Sequence, residues 1–195
     1  MKAPMKPMTD MWRRLLRSPR ELLVDRSGLA AVEFAMIIPL MLLLFFGTDE
    51  FSSGVAVNRK VTLMARTLSD LTSQNISVTD AQFTNFFNAS SAIMTPYPSA
   101  PVNATISELY IDPATKAARV QWSKGGAPRG VGTTVTIPTA LQVGGTYLIF
   151  SEVSYAFVPT IGYVLKNSIT LRDYTYTRPR QSLCVMYNTT VCTTS

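Results

Sequence analysis

The sequence contains no histidine among its 195 residues. That removes the side chain most often used for general-base and nucleophilic catalysis, and the commonest metal ligand. Cysteine is scarce too. Cys184 and Cys192 are the two present, and two thiols without histidine do not complete a zinc site. No metal and no other cofactor is expected. The glycine-rich run from Gly125 to Gly132 lacks the Gly-Lys-Ser/Thr that would make it a phosphate-binding loop. No Ser-x-x-Lys motif occurs and no internal repeat is visible. No catalytic constellation emerges, so the chain is expected not to be an enzyme. It also lacks a basic stripe or a helix-turn-helix signal, and no nucleic-acid partner is expected.

One long apolar run is present. From Leu29 to Gly47 nineteen residues carry a single charge, Glu33. A helix needs about 20 apolar residues to cross a bilayer. Pro39 removes one backbone hydrogen bond near the middle and is expected to kink that helix. Glu33 is the anomaly. It sits roughly 6 Å beyond Leu29 along a helix axis. An ionised group at the centre of a bilayer costs about 2.5–3.5 kcal/mol on insertion scales, and less near the end. An acid placed there is a candidate functional group that needs a partner.

The net charge of +6 is uneven. Residues 1–28 hold seven Lys or Arg against Asp10, Glu21 and Asp25, which leaves +4, while residues 48–195 hold +3. Positive flanks keep their end of a membrane helix in the cytoplasm. The chain therefore reads as a basic cytoplasmic leader (1–28), a transmembrane helix (29–47) and a periplasmic α+β domain (48–195). Within the leader, Thr9 to Val24 has helical spacing of Trp12, Leu15, Leu16, Leu22 and Leu23 among arginines. Such a helix would rest on anionic headgroups, although the same stretch reads alternatively as a solvated leader. A cleavable secretory signal fits less well, because its apolar core is usually 7–15 residues and is followed by small residues. Here the run is longer and ends in Phe-Phe-Gly-Thr-Asp-Glu.

Gly28 precedes the apolar run and Glu33 is fifth after it. Cleavage between Gly28 and Leu29 would free an amine on Leu29, which Glu33 of a neighbouring subunit would pair with in a helical bundle. This segment, Gly-Leu-Ala-Ala-Val-Glu-Phe, resembles the processing site of type IV pilins and pseudopilins. The longer run resembles the TadE/TadG-like family of tight-adherence (Tad) pilus proteins. It carries Ala-Val-Glu-Phe-Ala (Ala31–Ala35), Pro39, a Leu-rich block, Gly47 and a carboxylate near Glu50. The resemblance covers about residues 27–70. It implies a pilin-like α+β fold: a long N-terminal transmembrane helix continues into an amphipathic helix, packed on a small antiparallel β-sheet. It also implies partners: a prepilin peptidase, an inner-membrane platform, a secretion ATPase, the major pilin and other TadE/TadG-like subunits. On spacing alone, a signal-anchor helix with an incidental Glu33 remains an equal reading.

Beyond the membrane run, Val57, Val61, Met64, Leu68 and Leu71 fall on one helical stripe, with Arg59, Arg66, Asp70 and Ser73 away from it. Asp49 and Glu50 are expected to be a solvated exit from the membrane. Gln74 to Val78 reads as a break, and Thr79 or Asp80 as the cap of a second helix to about Ile93. Prolines from Thr95 to Pro101 demand a loop. Val102 to Ile111 and Ala117 to Lys124 read as a hairpin about a turn at Asp112–Lys116, with Val120 and Trp122 on one face. Pro138 to Gly145 suggests a short helical turn. Thr146 to Val158 is the strongest strand, Ile161 to Leu165 suggests another short helix, and Asn167 to Arg178 alternates as a final strand. Cys184 and Cys192 would pair in an oxidising compartment.

Three readings of the whole remain. One is a pseudopilin-like component of a Tad-type pilus machine, processed after Gly28. A second is an unprocessed, single-pass periplasmic scaffold or adhesion protein. The third is a membrane-anchored periplasmic enzyme.

Overall fold

A computed structural model describes residues 27–159 and 167–192. The leader before Ser27 and the expected turn of helix at Ile161–Leu165 lie outside the described residues. The chain divides into two compact units, Met1–Gly47 and Thr48–Ser195.

The first helix, α1, runs from Ser27 to Ser73 and continues through Pro39. Within the first unit its apolar side chains are exposed, Leu29, Phe34, Ile37, Leu40 and Leu44 among them. It is the one helix among the described residues long and apolar enough to cross a membrane. A helix apolar all round and covered by no protein is the pattern of a membrane span.

In the second unit the chain folds as α+β. Two short strands, β1 (Ser77–Val78) and β7 (Met186–Tyr187), pair in parallel. Helix α2 spans Asp80–Ser91 and starts on a capping box: Thr79 and Gln82 each satisfy the other's backbone N–H. A 3-10 turn, Ala92–Met94, leads into the proline loop. The main sheet contains β2 (Val102–Ile111), β3 (Ala118–Gly125), β4 (Thr134–Val135), β5 (Tyr147–Phe157) and β6 (Ile169–Thr177). Its order is β4-β3-β2-β5-β6 and every pair is antiparallel.

The sheet buries both faces. On one face Ile106, Ile149, Val153, Tyr155 and Phe157 meet Val57, Val61, Met64 and Leu68 of α1 and Phe83 of α2. These four α1 positions belong to the stripe read from the periodicity; Leu71, its fifth member, is half-buried and lies outside this cluster. The buried surface of the helix is wider than that stripe, however. Ser69, Thr72 and Ser73 are also buried, and the end of β6 and the residues just after it reach the helix there. Arg180 donates its N–H to the Ser73 carbonyl at 2.9 Å, and Ser69 Oγ donates to Thr177 Oγ1 at 2.8 Å. The opposite sheet face holds a second cluster, with Leu109, Ile111, Val120, Leu148 and Phe150 covered by Val135, Ile137 and Leu141.

Val120 and Trp122 do not share a face, contrary to their two-residue spacing. Glu108 is opposite Trp122, but Leu109 is opposite Val120, so β3 carries one extra residue, Gln121. This β-bulge turns Trp122 toward the helices and leaves Val120 in the second cluster.

Candidate functional site

The residues singled out for processing and pairing all lie on α1. Gly28 and Leu29 occupy its first turn, both exposed. A methyl group added at Gly28 would meet no atom within 4 Å. Among the described residues nothing in the packing requires glycine there. Glu33 lies four residues after Leu29, so the two share a helix face. Glu33 is exposed among exposed apolar side chains, and no ion pair to it occurs among the described residues. The structure thus brings Leu29 and Glu33 onto one surface of a single helix. Pro39 follows further along the same apolar segment.

Glu50 is not a solvated exit residue. It is 3 % exposed, whereas Asp49 beside it is exposed. The reason is the roughly 100° turn per residue. It points Asp49 to solvent and Glu50 into an apolar recess with Gly54, Phe157 and Leu171. Gly54, read from sequence as a weak point, serves close packing here. A methyl group on it would stand 3.7 Å from the Phe157 ring.

A second acid escaped the sequence reading. Glu108 on β2 is 1 % exposed. Its Oε1 accepts the Val185 N–H at 2.6 Å, and Trp122 Nε1 donates to the Val185 carbonyl at 2.8 Å. Burial pushes the Glu108 carboxyl up to about 8, against the smaller opposing effects of these donors. Its signal was present in the alternation Ile106-Glu108-Tyr110, which puts a carboxylate at an inward position. The bulge that supplies Trp122 was not legible.

Glu108 and Trp122 hold a strap formed by residues 184–192. The Cys184–Cys192 disulfide closes it, with Cα atoms 6.2 Å apart, and Cys184 is buried against Tyr110 and Tyr147. Met186 and Asn188 donate backbone N–H groups to the Ile76 and Val78 carbonyls. At the far end Tyr187 donates its hydroxyl to Asp80 Oδ1 at 2.6 Å, a bond that lowers the Asp80 carboxyl below its ordinary value. The Lys124 ammonium sits 4.5 Å over the Tyr187 ring and 3.5 Å from Asp80. These contacts fasten the strap to the start of α2 and to the sheet. No metal-binding cluster of carboxylates and cysteines occurs among the described residues.

Residues 28–68 match the model of the family described as TadE-like protein. The match starts at Gly28 and ends within α1, so it covers the apolar run and most of the helix that packs on the sheet. No curated relative and no solved structure matches the chain.

Proposed function

From a chain that is TadE-like over residues 28–68, we propose a pseudopilin-like component, minor pilin or assembly factor, of a Tad-type pilus machine, processed between Gly28 and Leu29. The observation that carries this reading is the exposure of Leu29 and Glu33 on one face of an apolar helix. An acid in lipid is tolerated when a cation neutralises it. Cleavage after Gly28 supplies that cation as the Leu29 amine of an adjacent subunit. Processing also removes the basic leader, whose charge holds the N-terminal end in the cytoplasm. The α+β unit from Thr48 onward then lies in the periplasm, anchored to the inner membrane or carried into a surface pilus. The role is structural rather than catalytic. Its partners are a prepilin peptidase, the platform proteins, the major pilin and further TadE/TadG-like subunits.

N-terminal sequencing of protein extracted from membranes tests this directly. A mature chain beginning at Leu29 is expected. An intact leader in cells with an active prepilin peptidase would return the protein to an unprocessed anchored scaffold.

A further inference from the structure

The sheet face turned away from the helices changes character along its length. Past the second apolar cluster, the strands present Asn103 and Thr105 on β2, Glu152 and Ser154 on β5, and Arg172 and Tyr174 on β6. These side chains line a cleft of about 370 Å³, within the range of small-ligand sites.

The cleft is preformed. The loop after β3 is fixed to its rim, with the Ala127 N–H on Thr105 Oγ1 at 3.1 Å and the Arg129 N–H on Ser123 Oγ at 2.9 Å. The Arg129 guanidinium donates to both Glu152 oxygens, at 2.8 and 2.6 Å, so these two charges cancel. Asp173 is also engaged, accepting from the Thr62 hydroxyl and the Tyr174 N–H. Two groups are left facing outward. Arg172 is exposed and makes no ion pair among the described residues. Tyr174 is 59 % exposed, yet its ring is braced edge-on against Phe150 and Tyr176, with centroids 6.0 and 5.7 Å away.

A braced exposed ring, amide and hydroxyl groups, and one uncompensated guanidinium define a ligand chemistry. The ring face suits the apolar C–H face of a sugar, and orienting it beforehand reduces the entropy lost on binding. Asn103 and Ser154 suit hydroxyls. Arg172 suits one carboxylate, in the forked geometry guanidinium favours. A neutral sugar would leave that cation unpaired. An extended peptide pairs through free backbone groups, but β2 and β5 have both edges paired, and a strand added at the free edge of β6 would lie beside the cleft rather than in it. We infer that this cleft binds an acidic saccharide of the uronic-acid type, with the sugar ring on Tyr174 and its carboxylate on Arg172. The inference does not depend on processing at Gly28.

The test is calorimetric titration of the full chain in detergent micelles with tetragalacturonate. A neutral galactose tetramer and tetraglutamate serve as comparison probes. Saturable binding of tetragalacturonate is expected, at least about tenfold tighter than either comparison. Tyr174→Ala and Arg172→Gln should each weaken it by about tenfold. Arg172→Gln should leave the melting temperature unchanged because that side chain is exposed. Tyr174→Ala, which loses the ring contacts with Phe150 and Tyr176, should lower it slightly while the protein stays folded. Absence of binding at millimolar tetragalacturonate by folded protein would overturn the inference. So would equal affinity for tetraglutamate, or binding indifferent to Tyr174→Ala.

Discussion

The Glu108 carboxylate and the Val185 N–H are 2.6 Å apart in the interior, separated by 77 residues of sequence. This contact joins the middle of the central strand β2 to the C-terminal strap. It places one buried acid at the attachment of the strap.

Stability should therefore fall as pH rises from about 4.5 to about 8 and level off above that. The carboxyl is raised to about 8 in the folded chain from an ordinary 4.5. The folded state thus holds its proton over a window where the unfolded state has lost it. The contribution is fully present below about 4.5 and is lost as pH climbs through about 8. Glu108→Gln keeps an oxygen acceptor for Val185 and removes the titration. Melting curves from pH 5 to 9.5 should slope downward for the parent and stay flatter for the variant. Parallel profiles would refute the role given to Glu108.

Removing the acceptor altogether is a different perturbation. Glu108→Ala leaves the Val185 N–H buried without its partner, a defect worth about 1–3 kcal/mol. Urea unfolding should show that loss at pH 6, where Glu108→Gln is near neutral.

The disulfide ties the far side of the same strap. Cys184 and Cys192 are eight residues apart, and a loop that small contributes roughly 2–3 kcal/mol in the chain-entropy model. Paired Cys184→Ser and Cys192→Ser substitution should lower stability by that order in denaturant titration. The loss should appear first as increased amide exchange at Met186 and Asn188, whose N–H groups bond Ile76 and Val78.

Along α1, burial rather than residue type decides the cost of a truncation. Leu68 is fully buried against the sheet, while Leu63 is mostly exposed. Leu68→Ala should cost about 2–5 kcal/mol, and Leu63→Ala no more than about 0.5 kcal/mol. Equal losses in urea would mean that the helix presents another face to the sheet.

The N-terminal variants separate folding from processing. Gly28→Ala meets open space and should leave the folded unit unchanged, helix propensity favouring alanine by about 1 kcal/mol. Under the proposed role it nonetheless accumulates as the longer precursor on immunoblots. Glu33→Gln should reduce pilus output while the protein stays in the membrane fraction. Normal maturation and pilus output in the Glu33 variant would leave only an anchor of another purpose.

Local order in the chain determined a good deal by itself. Nineteen nearly uncharged residues require a helix in an apolar setting. The three- and four-residue spacing of Val57, Val61, Met64 and Leu68 names the face that later meets the sheet. Thr79, one of the two caps that the sequence offered, starts α2, and strand periodicity locates β2, β5 and β6. Each of these signals acts within a few residues, through backbone sterics, capping or periodic burial. Tertiary structure alone decided the burial of Glu50, the placing of Trp122 by an extra residue in β3, the contacts of Ser69 and Ser73 with the end of β6 and the residues after it, and the capture of the strap by Glu108. These depend on which distant segment arrives against a given surface. A carboxylate takes its ionisation from the atoms that surround it in space, and residues adjacent in sequence do not supply them.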